Sequence, residues 1–218
     1  MSAFPGSPRL LRGGIVLVDP DTAAVKNVIV LQYNPDSLSR SLQVQSVTPE
    51  HGNRSEALRI TGPPIETYKV EAELDATDQL EMPDQNPNVV QYGVNPQIAA
   101  LEMILYPTSS TLLANNALAK NGTLEIAPME APLALFIWSR VRVVPVRITD
   151  FSVTEEAFDP SLNPIRAKVS IGMRVLSVDD LGFDGKAGNF YMAYQQQKER
   201  LSALGQGSFA TLGIGGLS

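Results

Sequence analysis

The feature that most constrains the fold is a strict alternation of apolar and polar residues in two long stretches. Residues 165–175 are apolar at every second position, and between them stand Arg166, Lys168, Ser170, Gly172 and Arg174. Residues 65–75 repeat the pattern, with an apolar set of Tyr68, Val70, Ala72 and Leu74. Successive side chains of a β-strand point to opposite faces, so both stretches predict long antiparallel strands with one buried and one hydrated face. Residues 37–45 show the same period, interrupted by Arg40.

Four further stretches are apolar at nearly every position: residues 14–18, 28–33, 133–138 and 141–153. Their short length and β-branched content predict strands buried on both faces rather than helices. Pro145 lacks a backbone N–H and therefore predicts a sheet edge or a bulge. A turn-rich connection precedes the alternating stretch at residue 165, so we expect residues 141–175 to form one extended hairpin.

Two segments have the three- and four-residue apolar spacing of helices. The first begins with Asn95 as a predicted cap and Pro96 at the first helical position, and it ends before Pro107. The second covers residues 188–204. We predict a loop at residues 77–95 and a mobile glycine-rich tail at residues 205–218, which leaves residues 1–204 as a single β-rich domain.

Composition narrows the classes of function. The chain has no cysteine and one histidine, so thiolate sites, disulfides and multi-histidine metal sites are excluded. A net charge of -6 without any Lys/Arg cluster argues against nucleic-acid binding. No apolar run reaches the roughly 20 residues of a membrane span, and residues 1–11 do not resemble a secretory signal. We therefore expect a cytoplasmic protein without direct membrane insertion.

Candidate catalytic and metal-binding groups are weak. The carboxylate pairs Asp75 with Asp78 and Glu155 with Glu156 are interpreted as surface or turn residues. Together with Glu81 and Asp84, the first pair lacks the spacing of a calcium loop. We interpret His51 as a surface loop residue and Trp138, next to Phe136, as a core residue. No Gly-x-Ser-x-Gly or phosphate-binding motif is present, so we expect a non-enzymatic protein without cofactor, metal or catalytic residues.

Three stretches, in this order and spacing, carry a resemblance to a known family. The first is Gln-Tyr-Asn-Pro-Asp-Ser-Leu-Ser-Arg at residues 32–40, and the second ends in Leu-Asp-Ala-Thr-Asp at residues 74–78. The third and most specific covers residues 135–167, including Thr-Glu-Glu-Ala-Phe-Asp and Asn-Pro-Ile-Arg-Ala. With Tyr194 and Gln195 in the last helix, residues 31–204 resemble the tube-domain proteins of contractile injection systems, which are phage-tail-like particles.

The resemblance implies a mainly β, tube-protein-type fold: two packed antiparallel sheets forming a barrel, with a flanking helix and a C-terminal helix. It also implies a homo-hexameric ring whose hairpins form a continuous barrel around a lumen. Such subunits lie in the inner baseplate and act as adaptors that join the spike, or hub, to the inner tube protein and initiate tube assembly. Many relatives carry a C-terminal LysM module; we expect none here, because residue 204 is followed by a glycine-rich tail. Other baseplate proteins are the remaining partners that we expect, in a particle that stays in the cytoplasm or is released.

The connection between the two long strands is the interface that we expect with a neighbouring ring or subunit. Its residues are Glu155, Glu156, Phe158, Asp159 and Asn163, of which Phe158 is apolar in a polar turn. Phe158 could equally pack against its own domain. Three alternative functions stay open at this point: the main inner tube protein, a cell-wall-active enzyme and a carbohydrate-binding module.

Overall fold

The computed structural model describes residues 10–46, 59–120, 131–213 and 215. Their strands form one seven-stranded sheet in the order β2-β1-β5-β6-β7-β4-β3, with all neighbouring strands antiparallel. The strands are β1 (Gly14–Val18), β2 (Val25–Val30), β3 (Leu38–Gln43), β4 (Ile65–Asp75), β5 (Leu133–Ser139), β6 (Arg142–Phe158) and β7 (Pro164–Val175).

The helices are short except for the last. They are α1 (Thr77–Leu80), α2 (Pro87–Tyr92), α3 (Asn95–Glu102), α4 (Ser109–Lys120), α5 (Val178–Leu181) and α6 (Lys186–Leu204). Two 3-10 turns cover Pro83–Gln85 and Phe209–Leu212. None of the helices within the described ranges is long and apolar enough to cross a membrane.

The alternating stretches form the strands that they predict. In β4 the side chains of Tyr68, Val70, Ala72 and Leu74 are buried, and the intervening residues of the strand are exposed up to residue 73. In β7, Ala167, Val169, Ile171, Met173 and Val175 are buried in the same way. Because paired residues share a face, β4 and β7 together present a continuous polar surface on one side and a core on the other.

Strands β1 and β5 are buried on both faces, which explains why they lack polar alternation. Ala134 and Phe136 of β5 belong to the main core, whereas Leu133 and Leu135 pack in a second cluster with Ala187 at the start of α6. Strand β1 divides its side chains between the same two clusters. Continuous apolar runs are typical of strands covered on both sides.

The sheet is strongly curled. The ring centroids of Tyr68 in β4 and Phe136 in β5 lie 5.6 Å apart, although β6 and β7 separate these strands in the sheet. In a flat sheet, strands three places apart would be roughly 14 Å from each other. The Gln32 side chain, just beyond β2, also bonds the backbone of Asp75 at the end of β4, at 2.6 and 3.0 Å.

The fold is therefore mainly β, as predicted, but it is one curled sheet rather than two packed sheets, and it does not close into a barrel. A single sheet can enclose a core when its twist brings distant strands face to face. Here the concave side of the sheet takes the place of the second sheet that we expected. Helices α3 and α6 supply further core residues, including Ile98, Leu101, Tyr191 and Tyr194.

Several local predictions were wrong. Residues 77–95 contain α1, a 3-10 turn and α2 instead of a loop, and Val94 rather than Asn95 caps α3. Pro145 lies in a central strand rather than at an edge, and its carbonyl accepts from Leu176 just beyond the end of β7. The predicted 28–33 strand begins and ends earlier, as β2. The described part of residues 205–218 contains the turn Phe209–Leu212. The mobility of this tail stays a prediction.

Candidate functional site

The tip of the β6–β7 hairpin is an ordered turn built around Asp159. One of its carboxylate oxygens accepts from the backbone N–H of Ser161 at 2.7 Å and of Asn163 at 2.8 Å. The other oxygen accepts from the Asn163 side chain at 2.9 Å. The side-chain and backbone bonds from Asn163 hold the pKa of Asp159 below its usual value. Asp159 is thus a structural residue of the turn, and its ionised form is the one that the turn binds.

Two apolar side chains project from this turn. Phe158 keeps 51% of its surface exposed and Leu162 keeps 79%. Leu162 also has a φ of 65°, a left-handed conformation that usually calls for glycine or asparagine in such a turn. Phe158 therefore packs only in part against its own domain, and the tip presents an apolar surface despite a conformational cost.

The base of the tip is fixed by the junction between α2 and α3. The Val94 N–H donates to the Pro164 carbonyl at 2.9 Å, and the Asn163 side chain donates to the Gln91 carbonyl at 3.2 Å. A Cβ atom on Gly93 would lie 2.2 Å from the Pro164 oxygen, and Gly93 has a φ of 58°. Only glycine allows this approach. The sequence interpretation missed this contact because it treated residues 77–95 as a loop and did not predict α2.

The two carboxylates beside the tip lie on opposite faces of the hairpin, Glu156 on the polar face with Arg166 and Glu155 on the face of Ala167. Glu156 pairs with Lys168 across the strands at 3.2 Å, with both side chains partly exposed. Glu155 is also exposed, opposite Ala167. Exposed pairs of this kind contribute little stability, about 0–1 kcal/mol. Of the five residues predicted for the interface, Asp159 and Asn163 build the turn, whereas Glu155, Glu156 and Phe158 are displayed by it.

The hairpin also carries an open strand edge. Strand β5 pairs only with the first part of β6, and β7 pairs with the remainder from Val146 onward. A bulge between Ile148 and Asp150 marks the change. In the described part of the chain, no strand pairs with residues 147–158 on the side away from β7. Strand β3 is the other edge of this region, and β2 is the opposite edge of the sheet.

The carboxylates considered for catalysis or metal binding are dispersed. Asp75 ends β4, where it accepts from Thr77 and from Arg166 at 2.9 Å. Burial would raise the pKa of Asp75, but these bonds outweigh it and lower that pKa. Asp78 lies in α1, Glu81 caps its end, and Asp84 lies in the 3-10 turn. Within residues 10–46, 59–120 and 131–213, no three acidic or histidine side chains are placed to hold a metal ion.

Two further residues, His51 and Trp138, were considered in the sequence. His51 lies outside the described residues. Trp138 is partly buried and packs against the main core, with its ring 5.9 Å from that of Phe136.

A buried ionic cluster was missed entirely from the sequence. Glu66 of β4 is 3% exposed and accepts from the Tyr194 hydroxyl at 2.6 Å and from Lys198 at 2.7 Å. The Tyr194 hydroxyl also lies 2.8 Å from that of Tyr68, and Arg40 of β3 approaches Glu66 at 3.7 Å. The only signal in the sequence is that Glu66 stands two positions before Tyr68, on the face of β4 that the alternation predicts to be buried. The cluster joins α6 to the β3–β4 edge.

Comparison with known proteins gives little further guidance. No family model and no curated protein matches the sequence. Among solved structures, the chain is similar to a protein in the tail of an empty GTA particle with C6 symmetry. The alignment covers 76% of this chain and 91% of that chain, at 11% identity and a TM-score of 0.29. At this level of similarity the match establishes neither a shared function nor a shared assembly.

Proposed function

We propose that this protein is a structural subunit of a phage-tail-like contractile injection particle. In the proposed role, six copies form a ring in the inner baseplate, which joins the spike to the inner tube and serves as the template on which the tube assembles. The number of copies in the ring and the position of the ring in the baseplate come from the sequence resemblance. The proposal assigns the chain no catalytic chemistry and no cofactor.

The observation that carries the proposal is the direction of the strands in the half-sheet β6-β7-β4-β3. Among the described residues, no strand pairs with the outer side of β6 over residues 147–158 or with the outer side of β3 along Leu38–Gln43. Four antiparallel strands make these two edges run in opposite directions. Rotation about an axis close to the strand direction keeps each strand's direction, so β3 of one copy meets β6 of the next in antiparallel pairing. A ring would therefore satisfy both edges.

The apolar tip has a place in the same assembly. Phe158 and Leu162 stand at the end of the half-sheet, where they would reach a neighbouring ring rather than a neighbour within the ring. The turn bonds of Asp159 and the contact at Gly93 hold them in position before binding. A preorganised apolar contact loses less entropy on association than a mobile loop would.

The ring can be tested by removing one outward donor from the β6 edge. The Ala76 N–H donates to the Ile165 carbonyl, so Ile165 and every second residue of β7 after it turn their backbone groups toward β4, and Lys168 turns its own toward β6. Thr154 pairs with Lys168, so the Thr154 N–H points toward β7 and the N–H of the next residue, Glu155, points away from β7. We expect Glu155→Pro to leave the subunit folded but to abolish the ring, since proline is tolerated at an outward-facing edge position. Glu155→Val, which loses the same charge but keeps the N–H, is the matched control.

Native mass spectrometry and negative-stain electron microscopy of the purified full chain measure the outcome. The wild type and Glu155→Val should form closed rings, and Glu155→Pro should remain a monomer with an unchanged circular dichroism spectrum. A wild type that stays monomeric at high concentration, or rings that persist in Glu155→Pro, would contradict the proposal. Long tubes instead of single rings would favour the main tube protein.

A further inference from the structure

We propose that the buried Glu66 carboxylate exchanges between two cations, Lys198 of α6 and Arg40 of β3, and that this exchange lets the last turns of α6 open while the core stays folded. Lys198 is the partner of Glu66 in the closed form, and Arg40 takes its place in the open form. Every contact involved lies within one copy of the chain, so the inference does not depend on the ring proposed above.

Helix α6 divides into a packed part and a part that is held by the bond to Glu66. The buried residues of α6 all lie in its first half: Ala187, Gly188, Tyr191 and Tyr194. In the described structure, no residue from 195 to 204 is buried. Lys198 lies in this second part and donates to Glu66 at 2.7 Å. Opening of residues 195–204 therefore breaks the Lys198 bond but takes no buried side chain out of the core.

Glu66 needs a cation in the open form as well as in the closed form. Its side chain is 3% exposed, and removing one partner of a buried ion pair is strongly destabilising because the remaining charge stays uncompensated. The Tyr194 hydroxyl donates to one Glu66 oxygen at 2.6 Å, but it supplies no charge. Release of Lys198 alone would therefore leave a buried anion, which a second cation has to compensate.

Arg40 is placed to be that second cation. It pairs with Tyr68 in the β3–β4 ladder, so its side chain lies on the same face of the sheet as Glu66. Its Nη1 atom is 3.7 Å from the Glu66 Oε1 atom, and its side chain is 41% exposed. A guanidinium group presents N–H donors in a planar fork that fits both oxygens of a carboxylate. When the Lys198 ammonium group leaves Oε2, a small shift of Arg40 would bring this fork onto Glu66.

The exchange changes the charges that the β3–β4 edge presents. In the closed form the Glu66 charge is compensated by Lys198, and the Arg40 guanidinium group is partly in solvent. In the open form the guanidinium group turns inward onto Glu66, and the Lys198 ammonium group leaves with residues 195–204. The sheet edge thus loses an exposed cation, and the freed end of the helix gains one.

Hydrogen exchange of the full-length chain, read by mass spectrometry after pepsin digestion, measures the opening of residues 195–204. Lys198→Met removes the cation of the closed form but keeps an unbranched side chain, so exchange of these residues should become about tenfold faster. Arg200→Met is the matched control, because it removes the same charge from an exposed position of the same helix. Exchange in this control should stay within about twofold of the wild type.

Arg40→Met should have the opposite effect, which separates an exchange of cations from a static network. It removes the cation of the open form, so the helix should open more rarely and residues 195–204 should exchange about two- to fivefold more slowly. If Arg40 only helped to hold α6 in place, the same variant would speed exchange. Lys69→Met removes a charge from the neighbouring pair of the same ladder, on the opposite face, and should have no effect.

Peptides from β7 report on the folded core in every variant, and the comparison is repeated in the Glu155→Pro background to exclude effects of ring contacts. Faster or unchanged exchange in Arg40→Met would overturn the inference. An unchanged rate in Lys198→Met would overturn it as well. So would an increase in Lys198→Met that extends over all of α6 or into β7, because the end of the helix would then not open separately.

Discussion

Glu66 illustrates what a single buried charge requires. Burial would raise the pKa of this carboxylate, but hydrogen bonds from Lys198 and Tyr194 outweigh burial, so the pKa of Glu66 lies below its usual value. Burial and the same carboxylate raise the pKa of Tyr194, which therefore stays a donor. Lys198 also lies 4.1 Å above the Tyr194 ring. The ionised carboxylate is thus the form that holds α6 on the sheet.

We expect Glu66→Gln to lower the free energy of unfolding by about 2 kcal/mol at neutral pH, since one charge-assisted bond is lost in a buried setting. A folded-state pKa below the unfolded value means that Glu66 stabilises the protein above the unfolded pKa, near 4.3. That stabilisation disappears as the pH falls through the lower folded pKa. Urea unfolding of wild type and variant between neutral and acid pH measures the difference.

The control for this prediction is Glu73→Gln, on the same strand but on the exposed polar face. It should change stability by no more than about 0.5 kcal/mol. A Glu66→Gln difference that stays constant down to strongly acid pH would mean that the charge is not the stabilising feature.

At the scale of elements, β6 has two roles along its 17 residues. Its first part is central in the sheet and buried, with Val144 and Val146 in the core. Its second part leaves β5 and becomes the outer strand of the half-sheet β6-β7-β4-β3. The tip of the hairpin lies beyond the end of β4, so its contact with the α2–α3 junction fixes its direction. Gly93 is the residue on which that contact depends.

Gly93→Ala should therefore destabilise the protein more than an ordinary glycine substitution at positive φ. Gly182 is the matched control, because it also has a positive φ, of 72°. A Cβ added at Gly182 would meet no atom within 4 Å, whereas a Cβ added at Gly93 would meet the Pro164 oxygen. We expect Gly182→Ala to cost about 1–2 kcal/mol and Gly93→Ala about 1–3 kcal/mol more. If urea unfolding shows the same loss of stability for both variants, the contact between Gly93 and Pro164 does not stabilise the tip.

At the scale of the whole molecule, the curled sheet needs a bond between its two halves. Gln32 follows β2, and its side-chain amide pairs with the N–H and carbonyl of Asp75 as a neighbouring strand would. This one side chain links residues 43 positions apart in sequence. It bonds backbone groups of Asp75 at the end of β4, beyond the residues that β3 pairs.

We expect Gln32→Ala to reduce the free energy of unfolding by about 1–3 kcal/mol, because it leaves a donor and an acceptor without partners. Gln45→Ala is the control, since Gln45 also donates to a backbone carbonyl, that of Pro63, but within one side of the sheet. Thermal unfolding followed by circular dichroism compares the two. A loss for Gln32→Ala no larger than that for Gln45→Ala would show that the bond does not hold the sheet in its curled form.

The sequence by itself determined the strands and their faces. Burial repeats with a period of two along β4 and β7, and residues 141–175 contain a turn signal between two strand patterns, so local information is enough to predict the hairpin. The same holds for α6, whose apolar spacing is local. Short helices such as α1 and α2 have no such period, and they form because the fold around them supplies the packing.

Only the tertiary structure decided the single curled sheet and the contacts that depend on it. Glu66 and Tyr194 are 128 positions apart, and Gly93 meets Pro164 only because the fold brings the α2–α3 junction to the tip of the hairpin. A local pattern sets which face a side chain occupies, but it carries no information on strand order or curvature. Strand order and curvature depend on pairings between segments that are distant in the sequence, and these pairings form only when the chain folds.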